Sequence, residues 1–274
     1  MPTSGEKFRA LHEGDQPFLV PNPWDIGSAR ILTGLGFSAL ATTSGGMAYA
    51  LGKPDGAVRR EEAIAHCRDI VAVTHLPVSA DLEKGYGDRP EDVANVIRAA
   101  AETGLAGCSI EDFTGNPEAP LFDKDLAVDR ITAASEASAG LSDDFVLTAR
   151  CEGLVWESLK LDQVIDRLQA FEAAGADVLF APGLDDIASI RAVVSALSKP
   201  VNVIMSTPSL PFGVRELAEI GVKRISIGSA FAQLAYGKLI EAAKEMATQG
   251  TFTFTRDVVD YQELEALFTD RDSV

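Results

Sequence analysis

The sequence predicts an α/β fold, a single TIM (β/α)8 barrel, and three observations carry that expectation. Short apolar runs recur eight times, at 17–20, 39–43, 78–82, 107–110, 145–149, 178–181, 201–205 and 224–227. Segments with helical apolar spacing separate them at 61–74, 90–103, 124–140, 161–175, 185–197 and 214–220, an alternation that builds a parallel sheet wrapped by helices. A chain of 274 residues, 46% of them hydrophobic, suits one barrel of about 250 residues better than two small domains, so 1–274 reads as one domain.

The elements follow in order. The second run closes on the hydroxyl-bearing Thr42, Thr43 and Ser44, the third on Asp81 and Glu83, the fourth on Glu111, and the fifth on Arg150. Thr103-Gly104, Ala174-Gly175 and Ile220-Gly221 each put glycine just past a helix, where a left-handed cap costs little. After the eighth run, 230–250 is a long alanine-rich helical stretch, and 257–268 is a short amphipathic one carrying Val258, Tyr261, Leu264 and Leu267. A closed barrel does not need this 230–274 extension. Its apolar face requires the barrel bottom or another subunit, so oligomer packing is expected of it.

Bulk charge narrows the partners. With 24 Lys and Arg against 41 Asp and Glu, the net charge of −17 repels phosphate backbones and anionic lipid, which argues against nucleic acid and membrane surfaces. The opening residues lack a basic stretch leading into an apolar one, and no apolar segment reaches spanning length. A soluble cytoplasmic protein is expected. Cys67, Cys108 and Cys151 lack metal-ligand spacing and read as reduced thiols. His12, His66 and His75 read as surface residues.

Barrel enzymes gather their chemistry at the C-terminal ends of the strands. Asp81 and Glu83, two apart at a strand end, are expected on one side of the strand, with Glu111 as their lateral neighbour. Clustered carboxylates raise one another's pKa unless a cation neutralises them, and oxygen-only ligation favours Mg²⁺ or Mn²⁺ over zinc. Arg150 has the planar fork suited to a substrate carboxylate or phosphate, the reading favoured here over a partner for a neighbouring acid.

The segments Pro23-Trp24-Asp25-Ile26-Gly27-Ser28-Ala29-Arg30, Thr42-Thr43-Ser44-Gly45-Gly46, Leu51-Gly52-Lys53-Pro54-Asp55-Gly56, Asp81-Leu82-Glu83-Lys84-Gly85-Tyr86-Gly87, Ile110-Glu111-Asp112 and Ala149-Arg150 together resemble the isocitrate lyase / phosphoenolpyruvate mutase superfamily in order and spacing. The resemblance runs from about Pro21 to Ala230. It implies a Mg²⁺ site with Asp81 as direct ligand and Asp55, Glu83 and Glu111 holding the ion's waters. It also implies that Thr42, Thr43, Ser44 and Gly45 take the substrate carboxylate, that Arg150 holds its far side, and that Trp24 and Asp25 line the pocket. A homodimer or homotetramer exchanging the last helix would account for the extension.

The lyases of that superfamily carry a Lys-Lys-Cys-Gly-His or Lys-Arg-Cys-Gly-His segment on the loop after the fourth strand, and the mutase carries a lysine there. Here that loop reads Phe113-Thr114-Gly115-Asn116-Pro117-Glu118-Ala119-Pro120-Leu121, with no Cys, Lys or His. The chemistry left is what a metal ion does nearly alone: polarising a 2-oxo acid and stabilising the enolate formed when a carbon substituent leaves. A Mg²⁺-dependent carbon-carbon lyase of small 2-oxo dicarboxylates is expected, with oxaloacetate decarboxylation preferred and Tyr86 as a candidate proton relay. The alternatives are carbon-phosphorus chemistry on a phosphonopyruvate-like compound, a catalytically silent 2-oxo acid binding protein, and a Schiff-base aldolase using Lys84.

Overall fold

The computed structural model describes residues 2–206 and 211–269. Its eight strands are parallel: β1 (Phe18–Val20), β2 (Leu40–Ala41), β3 (Val78–Asp81), β4 (Gly107–Glu111), β5 (Val146–Arg150), β6 (Val178–Phe180), β7 (Val201–Ile204) and β8 (Arg224–Ser226). Each of the eight apolar runs holds one strand. They lie in the order β1-β8-β7-β6-β5-β4-β3-β2, and the ring closes where the Ala41 amide donates to the Pro21 carbonyl at 3.1 Å. Asn22 ties this seam across three strand ends. Its Nδ2 donates to the Thr42 carbonyl at 3.1 Å, and its Oδ1 accepts the Ile227 and Gly228 amides at 3.0 and 2.9 Å.

The helices are α1 (Ser4–Glu13), α2 (Ile26–Gly34), α3 (Ser44–Ala50), α4 (Arg60–Val71), α5 (Pro90–Ala101), α6 (Lys124–Ala139), α7 (Leu161–Ala173), α8 (Ile187–Ala196), α9 (Val214–Glu219), α10 (Ala230–Gln249) and α11 (Tyr261–Phe268), with a 3-10 turn at Thr253–Asp257 before the last. The main core lies between strands and helices, where Leu82, Ile110, Leu147 and Leu179 meet Ile97, Leu168, Phe171 and Ile190. Burial on both faces explains why these parallel strands read as continuous apolar runs.

Inside the ring, the bottom is plugged by α1. Phe8 packs there with Phe18, Val20, Ala39, Ala41, Val146 and Val178. A Cβ on Gly5 would fall 1.6 Å from the Asp144 carbonyl oxygen, so only glycine lets this helix dock so closely. The surface expectation for His12 is corrected: it is buried between Phe8 and Phe18, each ring edge-on at 4.9 Å, with Nδ1 2.8 Å from the Phe8 carbonyl. His66 is half-buried, while His75 is exposed. All three cysteines are free and buried.

The extension divides. α11 packs on this chain's own α2, where Arg30 Nη1 donates to the Phe268 carbonyl at 3.2 Å, so part of the apolar face expected to need a partner is covered within the chain. α10 leaves Leu234, Leu239 and Ile240 more than half exposed. Among the described residues no helix is long and apolar enough to cross a membrane. Part of the 206–213 segment between β7 and α9 lies outside the described residues, at 207–210.

Candidate active site

Asp81 ends β3 and is fixed from three sides. Its amide donates to Thr42 Oγ1 at 2.9 Å, its Oδ2 accepts the Ser44 amide at 3.1 Å, and its Oδ1 accepts the Glu83 amide at 3.3 Å. The Ser44 amide opens α3, whose N-cap Thr43 accepts from Gly46 at 3.4 Å. Sequence reading placed Ser44 at a strand end. The chain instead turns into a seven-residue helix whose first amide faces the carboxylate.

Glu83 reaches the same rim by a route that differs from the expected strand alternation. Leu82 is fully buried, and Glu83 then adopts φ +50°, a left-handed conformation repeated at Tyr86 with φ +59°. Such geometry costs a bulky residue about 1–3 kcal/mol and persists only where the surroundings hold it. Here the Glu83 carbonyl accepts the Glu111 amide at 3.0 Å, and Arg130 from α6 donates to the carbonyls of Lys84 and Gly87, the latter at 2.8 Å. Burial, and then the charges of Asp81 and Asp55, push the Glu83 carboxyl up to about 7.

Glu111 on β4 stands in register with Arg150 on β5. Arg150 Nη1 lies 3.5 Å from Glu111 and 3.8 Å from Asp81, while its Nε donates to Glu152. Burial raises the Glu111 carboxyl well above its usual range; Arg150 opposes this, and Glu152, Asp81 and Glu83 add to it. Burial also works against the Arg150 charge, but Glu152, Glu111 and Asp81 outweigh it and hold the guanidinium protonated. Asp55, on the exposed loop after α3, has its carboxylate over Gly45, where a Cβ would lie 3.1 Å away. Loss of water there and the Asp81 charge raise its pKa, against hydrogen bonds from Ser44 and Gly56.

Sequence reading missed Glu152 and its support. The Glu152 amide donates to Asp112 at 2.8 Å, and buried Arg167 from α7 donates to the other Asp112 oxygen at 2.9 Å. The partners lie 40 and 55 residues from Asp112, so no local pattern announces them. Among the described residues the buried Tyr86 hydroxyl has no hydrogen-bond partner, and burial followed by the Glu83 and Asp81 charges raises its pKa, so it stands protonated. Asp25 caps α2: its Oδ1 accepts the amide and hydroxyl of Ser28, each at 2.7 Å. Trp24 packs beside Gly46, at the start of α3.

Oxygen-only donors, and more carboxylates than one guanidinium neutralises, fit a hard divalent ion such as Mg²⁺ or Mn²⁺. Glu83 Oε1, buried and without a hydrogen-bond partner among the described residues, is an acceptor that a water held by such an ion would satisfy. The expected tight convergence of Asp81, Glu83 and Glu111 is nevertheless corrected. Among the described residues no three acidic, His or Cys side chains form a ready metal-binding group. Arg150 stands between Asp81 and Glu111, and both Asp81 oxygens are turned to backbone amides.

The loop after β4 forms its own small structure. Phe113 bridges Leu121, the Thr114 amide donates to Pro120 at 2.8 Å, and Phe113 stacks on Trp156 at 4.5 Å. Lys84 Nζ is engaged by the Thr114 carbonyl at 2.7 Å and Asp88 at 2.6 Å, which removes it as a free Schiff-base amine.

The fold is a parallel barrel with acids and an arginine gathered at one rim, and comparison with known proteins places it in a family. A family model for phosphoenolpyruvate phosphomutase matches residues 8–247. The chain therefore belongs to the phosphoenolpyruvate mutase family, within the superfamily shared with isocitrate lyase. It is 31% identical over 205 residues to 2-methylisocitrate lyase of Escherichia coli K12, covering 72% of this chain and 68% of the relative. It is 32% identical over 235 residues to oxaloacetate decarboxylase of Ectopseudomonas mendocina, covering 81% and 77%. A solved structure from Burkholderia cenocepacia J2315, described only as a candidate lyase/mutase, superposes with a TM-score of 0.94 at 47% identity, over 98% of this chain and 96% of the other.

Proposed function

We propose that this chain is a divalent-metal-dependent carbon-carbon lyase of small 2-oxo dicarboxylates, with oxaloacetate decarboxylation as its preferred reaction. One observation carries the reading: Asp55, Glu83 and Glu111 gather around Asp81 and Arg150 at one rim, where burial and one another's charges push their carboxyls up from the ordinary range. Such a rim calls for a cation. Similarity to an oxaloacetate decarboxylase and to a 2-methylisocitrate lyase supports carboxylate chemistry there.

Asp81 would hold the ion directly, with Asp55, Glu83 and Glu111 holding its waters. When bound, the ion draws electron density from the 2-oxo and carboxylate oxygens and so lowers the energy of an enolate. Arg150, whose charge is secured by Glu152, orients the far carboxylate. Thr42, Thr43, Ser44 and Gly45 form the wall on the other side. The bond between C3 and C4 of oxaloacetate breaks, CO₂ leaves, and the electron pair stays on the enolate. A proton then reaches C3 from solvent or from Tyr86, giving pyruvate.

The loop after β4 supports decarboxylation over hydroxy-acid cleavage, because CO₂ needs no general acid to depart whereas an enolate leaving group does. The test is CO₂ and pyruvate release from oxaloacetate by purified protein with Mg²⁺, against a metal-only blank and Asp81→Asn. A rate equal to the blank rejects this substrate. Phosphate release from phosphonopyruvate would instead favour the mutase-like alternative, and tight 2-oxo acid binding without turnover would favour a binding protein.

A further inference from the structure

Below the rim the barrel interior turns polar around a guanidinium that the mechanism does not use. Arg224 on β8 is 4% exposed, and its Nη1 donates across the barrel to Thr148 Oγ1 at 3.0 Å. The Phe8 ring lies 5.6 Å from its guanidinium carbon. Among the described residues no carboxylate pairs with it, and its Nε–H has no hydrogen-bond partner. Asn202, in register with Arg224 on β7, is 1% exposed; its amide nitrogen donates to Ser226 Oγ at 3.0 Å, and its Oδ1 is without a partner.

Arg224 and Asn202 line the floor of one cavity of about 40 Å³, with Ser79, Ser109 and Ser226, and the same cavity is lined toward the rim by Thr42, Thr43, Asp81 and Arg150. A water would satisfy the Arg224 Nε–H but would leave its charge uncompensated in a low-dielectric interior; an anion does both. The Ser226 hydroxyl can donate as well as accept, so the Asn202 amide can turn its NH₂ inward and present a second donor beside Arg224. The volume holds roughly three water-sized centres, enough for a halide or a formate but not for a sulfate. At the upper end the Arg150 charge is already shared by Glu111, Asp81 and Glu152, so the excess charge there is negative and favours an anion at the floor, beside the unpaired Arg224.

We propose that the interior of this barrel binds a small monovalent anion, halide or formate in size, between Arg224 and Asn202. This site is the floor of the cavity whose upper end is the rim, so its test uses neither substrate nor divalent metal and reads the floor alone. The whole protein is unfolded thermally while sodium gluconate is exchanged for bromide or formate at constant ionic strength. In the wild type Tm climbs and saturates, and at a hundred times the dissociation constant the folding equilibrium has shifted about 100-fold. Arg224→Met and Asn202→Asp, which remove the charge or supply an internal counter-charge, give a flat response. Bromide also gives an anomalous peak within hydrogen-bond distance of Arg224 Nε in wild-type crystals. A wild type without a saturable rise, an equal rise in Asn202→Asp, or no bromide at Arg224 would overturn the proposal.

Discussion

Replacing Arg130 with methionine tests whether one buried side chain holds the catalytic turn in shape. Arg130 is 1% exposed, lies 4.3 Å over the Phe122 ring, and donates to the carbonyls of Lys84 and Gly87. Burial pulls its pKa down to about 10, so it remains charged at neutral pH. Its two charge-assisted hydrogen bonds contribute about 1.5–3 kcal/mol each. Against that loss, Arg130→Met removes a desolvated charge, and the left-handed Glu83 and Tyr86 can relax, each recovering about 1–3 kcal/mol. The loss of about 3–6 kcal/mol and the relief of about 2–6 kcal/mol largely offset each other, so the expected net loss is at most about 4 kcal/mol, a fall in Tm of no more than roughly 8 °C for a chain of this size. Because the relaxing residues include Glu83 and Tyr86, turnover should fall further than stability accounts for. A displacement of about 1 Å at such a site costs on the order of 100-fold. Paired thermal melts and initial rates on oxaloacetate, taken well below the melting range, separate the two effects. A variant that melts within a degree of wild type and turns over normally would refute the claim that Arg130 sustains the turn.

Two further outcomes follow from close packing and buried ionisation. Gly46→Ala would put a methyl 2.6 Å from Thr43 Cγ2 and 2.7 Å from Trp24 Cβ, whereas Gly27→Ala meets nothing nearer than 3.5 Å. The first should cost about 1–3 kcal/mol and raise KM by shifting α3 off Asp81, while the second stays near neutral; equal melting temperatures would contradict this. Burial, aided by the charges of Arg224 and Arg9 against hydrogen bonding to Phe8, lowers the His12 pKa to about 3. With the folded value below the unfolded 6.5, the unfolded chain binds the extra proton. The stabilisation is complete above pH 6.5 and is lost as pH falls toward 3. Histidine NMR should find His12 neutral at pH 5, and a ring that titrates near 6.5 would be the contrary result.

The strands were legible because burial on both faces leaves a continuous apolar run, and the positive φ of Gly104, Gly175 and Gly221 agrees with the expected helix exits. α1 was not read. Its signal is the reciprocal Thr3 and Glu6 cap, a four-residue pattern easily lost in a polar N-terminus. α3 escaped because Ser44-Gly45-Gly46 looks like a loop; its glycines are there for the close approach of Trp24 and Asp55. At the rim, residue types were legible and mutual geometry was not. Asp81, Glu83, Glu111 and Arg150 do share one end of the barrel, but Glu83 gets there through a left-handed turn that no residue pattern demands. Arg130 and the Asp112–Arg167 pair support that geometry from elements distant in sequence and so leave no periodic trace, whereas Glu152 lies only two residues past Arg150 and was legible as an Arg-x-Glu pair.

The position of Arg150 joins the fold to the chemistry. A guanidinium between Asp81 and Glu111 neutralises one charge of a rim that carries several, so it steadies the carboxylates without removing their affinity for a cation. Glu152 gives the same guanidinium a carboxylate on its Nε side, directed away from the Glu111 and Asp81 contacts of Nη1. Drawing Arg150 toward a substrate carboxylate would therefore not strand it, because the Glu152 contact can persist while the contacts to Glu111 and Asp81 loosen. Those two acids would then be uncovered as substrate engages Arg150, increasing the negative potential available to a divalent ion. Binding of the anionic substrate and of the cation would be mutually reinforcing on this account, since each removes a charge that opposes the other. The buried Asp112–Arg167 pair matters here because it fixes the backbone amide of Glu152, and through it the one contact that Arg150 keeps throughout.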